Sequence, residues 1–122
     1  MTTPSLEKIR RTRQKGWRRR YPRYRADFPV TATALDDQGY FESQGRCSDI
    51  AHAGMGAVLT SSARPGDVLA LKLQLPNNSE VLSVRAIVRY QNGFVHGLEF
   101  LGLRPEQQAA IDEFCAALAQ AD

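Results

Sequence analysis

The segment DVLALKLQL (67–75) sets Val68, Ala70, Lys72 and Gln74 against Leu69, Leu71, Leu73 and Leu75, so a two-residue period puts every leucine on one face. Turn chemistry brackets it, with Pro and Gly central in ARPGD (63–67) and a polar cluster in PNNSE (76–80). The same punctuated pattern recurs in FPVTATAL (28–35), YFESQGRCSDI (40–50), GMGAVLTS (54–61), VLSVRAIVRY (81–90) and FVHGLEFL (94–101), with DDQG, AHAG and QNG between runs. Six short strands with turns at these intervals predict an antiparallel barrel or sandwich. The second run is expected to bend at Gly45.

The tail RPEQQAAIDEFCAALAQAD breaks the period. Ile111, Phe114, Cys115 and Leu118 fall at i, i+3, i+4 and i+7, one apolar stripe on a helix. Pro105 suits its first position and Glu106 the positive end of its dipole, whereas Arg104 is a poor N-cap. The fold class is therefore mainly β with a C-terminal α-helix.

At 122 residues and 43% hydrophobic, the chain has material for one core, hence one domain. No apolar run is long enough to cross a bilayer, so no membrane insertion is expected. MTTPSLEKIRRTRQKGW has no apolar block behind its basic residues and does not read as a secretory signal, which points to the cytoplasm. Cys47 and Cys115, without CxxC spacing, argue against structural zinc; buried free thiols are favoured over a disulfide. No metal and no cofactor is expected.

Catalysis finds little support. The two histidines, His52 and His96, are forty-four positions apart, and His96 reads as a surface or partly buried strand residue. Ser48, Asp49 and His52 fall within five residues, too close in sequence to align nucleophile, base and orienter. HExxH, GxSxG and a glycine-rich phosphate loop are all missing, so the chain is read as no enzyme.

Charge is divided sharply. Residues 1–25 carry ten of the sixteen Lys+Arg against one acid, Glu7 (+9); residues 26–122 carry six bases against twelve acids (−6). The densest stretch is WRRRYPRYR (17–25), whose five arginines are interleaved with aromatics and abut the first strand. Arginine's planar fork bonds phosphates or the Hoogsteen edge of guanine and stacks on flat rings. Residues 1–17 are expected to form a flexible basic arm, and 18–122 the folded domain. A second candidate lies in CSDIAHAGMGAV (47–58), where Asp49 supplies an acceptor beside Gly54 and Gly56, whose backbone a ligand can approach closely. Such a carboxylate accepts from the paired N–H groups on guanine's Watson–Crick edge. Taken alone, the segment reads as an ordinary turn; beside an arginine cluster it complements a guanine nucleotide.

At these two segments the sequence resembles the PilZ domain family, bacterial receptor modules for cyclic di-GMP (c-di-GMP). The family's RxxxR motif reads RRYPR here, giving Arg19 and Arg23 with Arg20 between them, and its D/N-x-S-x-x-G motif reads DIAHAG, giving Asp49 and Gly54. RPGDVLALKLQLP, AIVRY and a closing GLEF strand are also similar, and the likeness covers about residues 18–118. It implies a six-stranded antiparallel PilZ-type β-barrel that holds c-di-GMP between arm and barrel. Arg19, Arg20, Arg23, Asp49 and Gly54 are the implied contacts; Arg18, Arg25, Ala51 and Trp17 are weaker candidates.

One position departs from the pattern. Ala51 replaces the motif serine, and one lost neutral hydrogen bond costs about 0.5–1.5 kcal/mol, a few-fold to about tenfold in affinity. Micromolar binding is therefore expected. The ligand phosphates would neutralise the arginines, order the arm and present a new surface to an unidentified protein effector. The family pattern also allows two stacked ligands or a ligand-bridged, ligand-dependent dimer. A ligand-independent PilZ-like protein-interaction adaptor ranks second, with Ala51 in its favour. A nucleic-acid-binding barrel ranks third, because Lys72, Arg85 and Arg89 are the only bases between 67 and 103.

Overall fold

The computed structural model describes residues 21–36 and 38–121; the expected arm over residues 1–17, and with it Trp17, together with Arg18, Arg19 and Arg20, lies outside the described residues. The elements are β1 (Tyr24–Arg25), β2 (Pro29–Asp36), β3 (Gly39–Ile50), β4 (Gly54–Leu59), β5 (Val68–Leu73), β6 (Leu82–Asn92), β7 (Val95–Leu101) and α1 (Pro105–Ala121). They form one sheet in the order β1-β3-β2-β5-β6-β7-β4, which closes because β3 also pairs with β4. Every pairing is antiparallel. The architecture is thus the expected six-stranded barrel with a C-terminal helix, plus one short extra strand, β1, on the outer flank of β3.

Closure depends on the twelve residues of β3. Residues 39–46 pair with β2 and residues 45–50 with β4, so Gly45 and Arg46 belong to both ladders. A Cβ on Gly45 would stand 2.0 Å from the Val58 carbonyl oxygen and 2.7 Å from Leu59 Cδ2. Gly45 therefore permits the close approach of β4, as a strand glycine at a barrel corner does. The register irregularity of β3 falls later, between Cys47 and Asp49.

The alternation in β5 is realised directly, since Leu69, Leu71, Leu73 and Leu75 are fully buried while Val68, Ala70 and Lys72 face outward. Its leading turn is also as expected. Asp67 N–H donates to the Arg64 carbonyl at 2.9 Å, with Gly66 at φ 97°, the arrangement that Pro-Gly at the turn centre favours. His96 differs from expectation. It is fully buried, with Nδ1 2.9 Å from the Phe94 carbonyl oxygen, and its Nε2 has no hydrogen-bond partner among the described residues. Its strand position belongs to the same inward series as Leu98 and Phe100, and that phase outweighs the polarity of the ring.

Helix α1 packs its stripe onto the barrel. Ile111, Phe114 and Cys115 are buried, Leu118 is partly so, and the Phe114 ring meets Phe28 edge-on with centroids 5.6 Å apart. Both cysteines are free and buried. At the helix start, Arg104 N–H donates to Gln107 Oε1 at 3.0 Å, the reciprocal half of a capping box, which offsets the lack of a capping hydroxyl. Arg104 Nε also donates to Glu106 at 2.6 Å, and that bond holds the Glu106 carboxyl below its ordinary range. Among the described residues, no helix is long and apolar enough to cross a membrane.

If Gly45 is the point of closure, Gly45→Ala should cost about 3 kcal/mol, the upper end for forcing a methylene into a filled site. Urea denaturation checks this, and a loss below about 0.5 kcal/mol would mean that β4 moves aside freely.

Candidate functional site

Directly opposed residues in a sheet share a face, and one outer row crosses five strands. Arg25 opposes Asp49, Asp49 opposes Gly56, Gly56 opposes Gly97, and Gly97 opposes Tyr90. Two β-bulges create this row. Cys47 faces the interior, so strict alternation would send Asp49 inward as well; the extra residue at Ser48 turns the carboxylate out. Val88 faces inward too, and the shift between Val88 and Tyr90 turns the Tyr90 ring outward. Between them lie two glycines. A Cβ on Gly97 would meet Tyr90 Cε2 at 2.0 Å, so the ring lies against that backbone; a Cβ on Gly56 would stand 3.0 Å from Asp49 Oδ1.

Asp49 is the hub of the row. Its Oδ1 accepts from Arg23 Nη2 at 2.8 Å, Arg23 Nε at 3.2 Å and Gly56 N–H at 3.0 Å. All three donors converge on one oxygen, and Oδ2 accepts no hydrogen bond among the described residues. The pair is partly shielded, with side chains 20% and 35% exposed. The carboxylate is thereby oriented and neutralised, with one oxygen left for a further donor.

Beside this hub opens a cleft of about 360 Å³, walled by Tyr21, Arg23, Ala51, Ala53, Gly54, Leu98 and Glu99. Arg23, Ala51 and Gly54 are thus brought together, and Asp49 joins them through its bond to Arg23. Gly54 contributes differently from the expectation, however. Its missing Cβ would fall 2.2 Å from the Leu98 carbonyl oxygen, so the glycine lets β4 close onto β7 more than it lets a ligand approach. Arg25 is not brought into this cleft. It lines a separate groove of about 970 Å³ together with Asp49, Arg46, Ser48, Val58 and Phe114, and the Arg23–Asp49 ion pair joins that groove to the cleft.

His52 has a role that the sequence did not reveal. Its ring stacks on Tyr21 with centroids 4.4 Å apart, and its Nδ1 lies 2.7 Å from Asp112 Oδ1. Gln108 Nε2 donates to the His52 carbonyl at 2.9 Å and to Asp112 Oδ1 at 3.0 Å. With Gln108 donating to the same carboxylate, the consistent tautomer has Nδ1–H donating to Asp112. Asp49 and His52 therefore serve different partners, and the cleft wall at Tyr21 is tied through His52 to α1. Cys47 supports the bulge from inside. Its thiol donates to the Asp49 carbonyl at 3.1 Å, and burial, then the Asp49 charge, push its pKa up to about 12. Burial raises the Cys115 thiol as well.

Comparison with known proteins agrees with this architecture. The PilZ domain matches residues 18–117, and the chain belongs to that family. Among solved structures, the Bacillus subtilis inhibitor of motility MotI/DgrA superposes with a TM-score of 0.68 at 22% identity, over 86% of this chain and 53% of that one. The chain thus spans about half the length of that protein. The PilZ domain of Escherichia coli YcgR, solved with c-di-GMP, gives 0.66 at 18% identity, over 85% of this chain and 93% of that domain. The PilZ domain of CeSA from a cellulose-synthesizing bacterium gives 0.65 at 15% identity, over 80% and 98%. At such identities the likeness is one of fold. A comparison with curated proteins gives no match.

The His52 contacts lead to a direct expectation. His52→Ala should remove the stack on Tyr21, about 0.5–1.5 kcal/mol, and speed tryptic cleavage after Arg23 and Arg25 by about two- to tenfold. Timed digestion followed by mass spectrometry reads this, and an unchanged rate would show that the stack does not hold the segment. In the native protein both thiols should stay unreactive to a disulfide reagent at pH 8 and react fully in denaturant, because the raised pKa and burial leave little accessible thiolate.

Proposed function

We propose that this chain is a non-catalytic receptor for c-di-GMP, which binds in the cleft beside Arg23 and Asp49. The observation that carries the reading is the Asp49 hub beside the cleft, a carboxylate with one oxygen held by Arg23 and Gly56 and the other accepting no hydrogen bond among the described residues. Asp49 Oδ2 accepts from the Watson–Crick edge of a guanine, and Arg23, already beside it, turns its remaining N–H groups to a phosphate or to the Hoogsteen edge. Tyr90, on the same outer row, offers a ring face to a second base. Arg19 and Arg20, with Arg18 and Trp17 as lesser contributors, take the phosphates, which draws the segment ahead of Tyr21 onto the barrel. Membership of the PilZ family and the c-di-GMP complex of the similar YcgR domain support the ligand's identity.

The output is a changed surface read by a protein partner in the bacterial cytoplasm. The His52 contacts give that change a route, since Tyr21 borders the ligand and α1 lies on the far side of the imidazole. A ligand-independent adaptor is the second reading, favoured by one observation: Arg23 and Asp49 satisfy each other without a ligand, and Ala51 adds no hydroxyl to the cleft.

Calorimetric titration with c-di-GMP separates the two. Saturable binding at micromolar strength is expected, weakened by about tenfold or more in Arg23→Ala and in Asp49→Ala, each of which removes a charge-assisted bond of about 1.5–3 kcal/mol. Ala51→Ser should tighten binding a few-fold, in line with one neutral hydrogen bond. No saturation into the hundreds of micromolar would overturn the receptor reading and leave the adaptor.

A further inference from the structure

Strand β5 lies opposite β4 in the closed barrel order, three strands away in either direction, and so faces away from the Asp49 row. On its outer face Lys72 sits between Thr31 and Ser83, and Ala70 sits between Thr33 and Arg85. The short side chain of Ala70 leaves a pit between longer neighbours. Gly102, with φ 58°, turns the chain from β7 toward α1, and Arg104 closes the open side. The result is a cleft of about 270 Å³ whose polar groups include Lys72, Arg85, Arg104, Thr33 and Ser83.

The charge of this cleft is unusual for the body of the protein. Residues 26–122 hold twelve acids and six bases, yet three of the six bases line this one cavity and, among the described residues, no carboxylate does. Lys72 and Arg85 have no carboxylate partner among the described residues. Arg104 gives its Nε to Glu106 and keeps its terminal nitrogens. The nearest acid in register is Glu42, opposite Thr33 on the adjoining strand. Gln107, the remaining polar residue of the wall, is occupied: it accepts from Arg104 N–H and donates to the Ser83 carbonyl at 2.7 Å.

We infer that this cleft is a second anion site, separate from the Asp49 cleft, which takes the phosphate dianion of a small phosphate monoester. Three cations and two hydroxyls match an anion with several acceptor oxygens and two charges better than they match a single carboxylate. The contrast with the first cleft sharpens the class. There Glu99 lines the wall and Asp49 is bonded to the lining Arg23, so acceptors are at hand for the N–H groups of a base; here no acidic acceptor among the described residues lines the wall, so a phosphate is held and a guanine edge is not. The inference does not rest on c-di-GMP binding elsewhere on the barrel.

The test is a ¹H–¹⁵N NMR titration of the full chain with glycerol 3-phosphate at constant ionic strength. The amides of Thr33, Lys72, Ser83, Arg85 and Gly102 should shift along saturating curves with a dissociation constant of the order of 1 mM or tighter. Lys72→Gln combined with Arg85→Gln, which keeps the surface polar, should weaken this about tenfold or more, while Arg23→Ala should leave it unchanged. Linear drift without saturation, an equal response to acetate, or the same affinity in the double variant would overturn the site.

Discussion

Asp49 Oδ1 collects hydrogen bonds from three donors on two other segments of the chain, and the outer face of the barrel is arranged around that oxygen. Arg23 belongs to the segment entering β1, Asp49 to β3 and Gly56 to β4, so a single carboxylate ties the entering chain to two strands of the closed sheet. Gly56 eases its bond by lacking a Cβ, which would stand 3.0 Å from Asp49 Oδ1 and 3.2 Å from the Ser48 hydroxyl. The bond from Arg23 needs the chain to run alongside β3, which is what the two residues of β1 accomplish. None of this works if Asp49 points inward. The bulge at Ser48 is therefore the prior condition, and the Cys47 thiol bonded to the Asp49 carbonyl steadies it from the core side.

Much of the fold was legible because its signals are local. The leucines of β5, the Pro-Gly turn before it and the apolar stripe of α1 each declare themselves within ten or so residues, and each is realised as read. The features that escaped depend on distant partners. A two-residue strand has no period to detect, and β1 exists because Asp49 and Ile50 lie across from it. The bulges add one residue without any change in composition, so strict alternation misplaces Asp49 and Tyr90 onto the buried face. His96 shows the reverse error, a polar residue that strand phase carries into the core.

The candidate site was legible in part, and by a different route. Spacing resemblance, not periodicity, singled out Arg23 and Asp49, and the structure brings them within hydrogen-bonding distance. It did not reveal that they bond each other, nor that Arg25 faces another groove. Gly54 lets the strands approach, while Gly56 leaves room for the Asp49 carboxylate and Gly97 for the Tyr90 ring on the outer row. His52 carries no motif signal at all, since its importance comes from Asp112 and Gln108, more than fifty positions away. The cleft, the entering segment and the helix are thus one connected set of contacts, so an event at Arg23 has a physical path to α1.

The most direct measurement is to follow the Arg23 Nε–H, the Gly56 amide and the ring resonances of Tyr21, His52 and Tyr90 by NMR during addition of c-di-GMP. If the Asp49 hub is the ligand site, these signals should move together along one saturating curve, while Lys72 and Arg85 on the opposite face stay in place. Saturable binding that leaves Arg23 and Gly56 unmoved, or shifts centred away from them, would contradict the assignment.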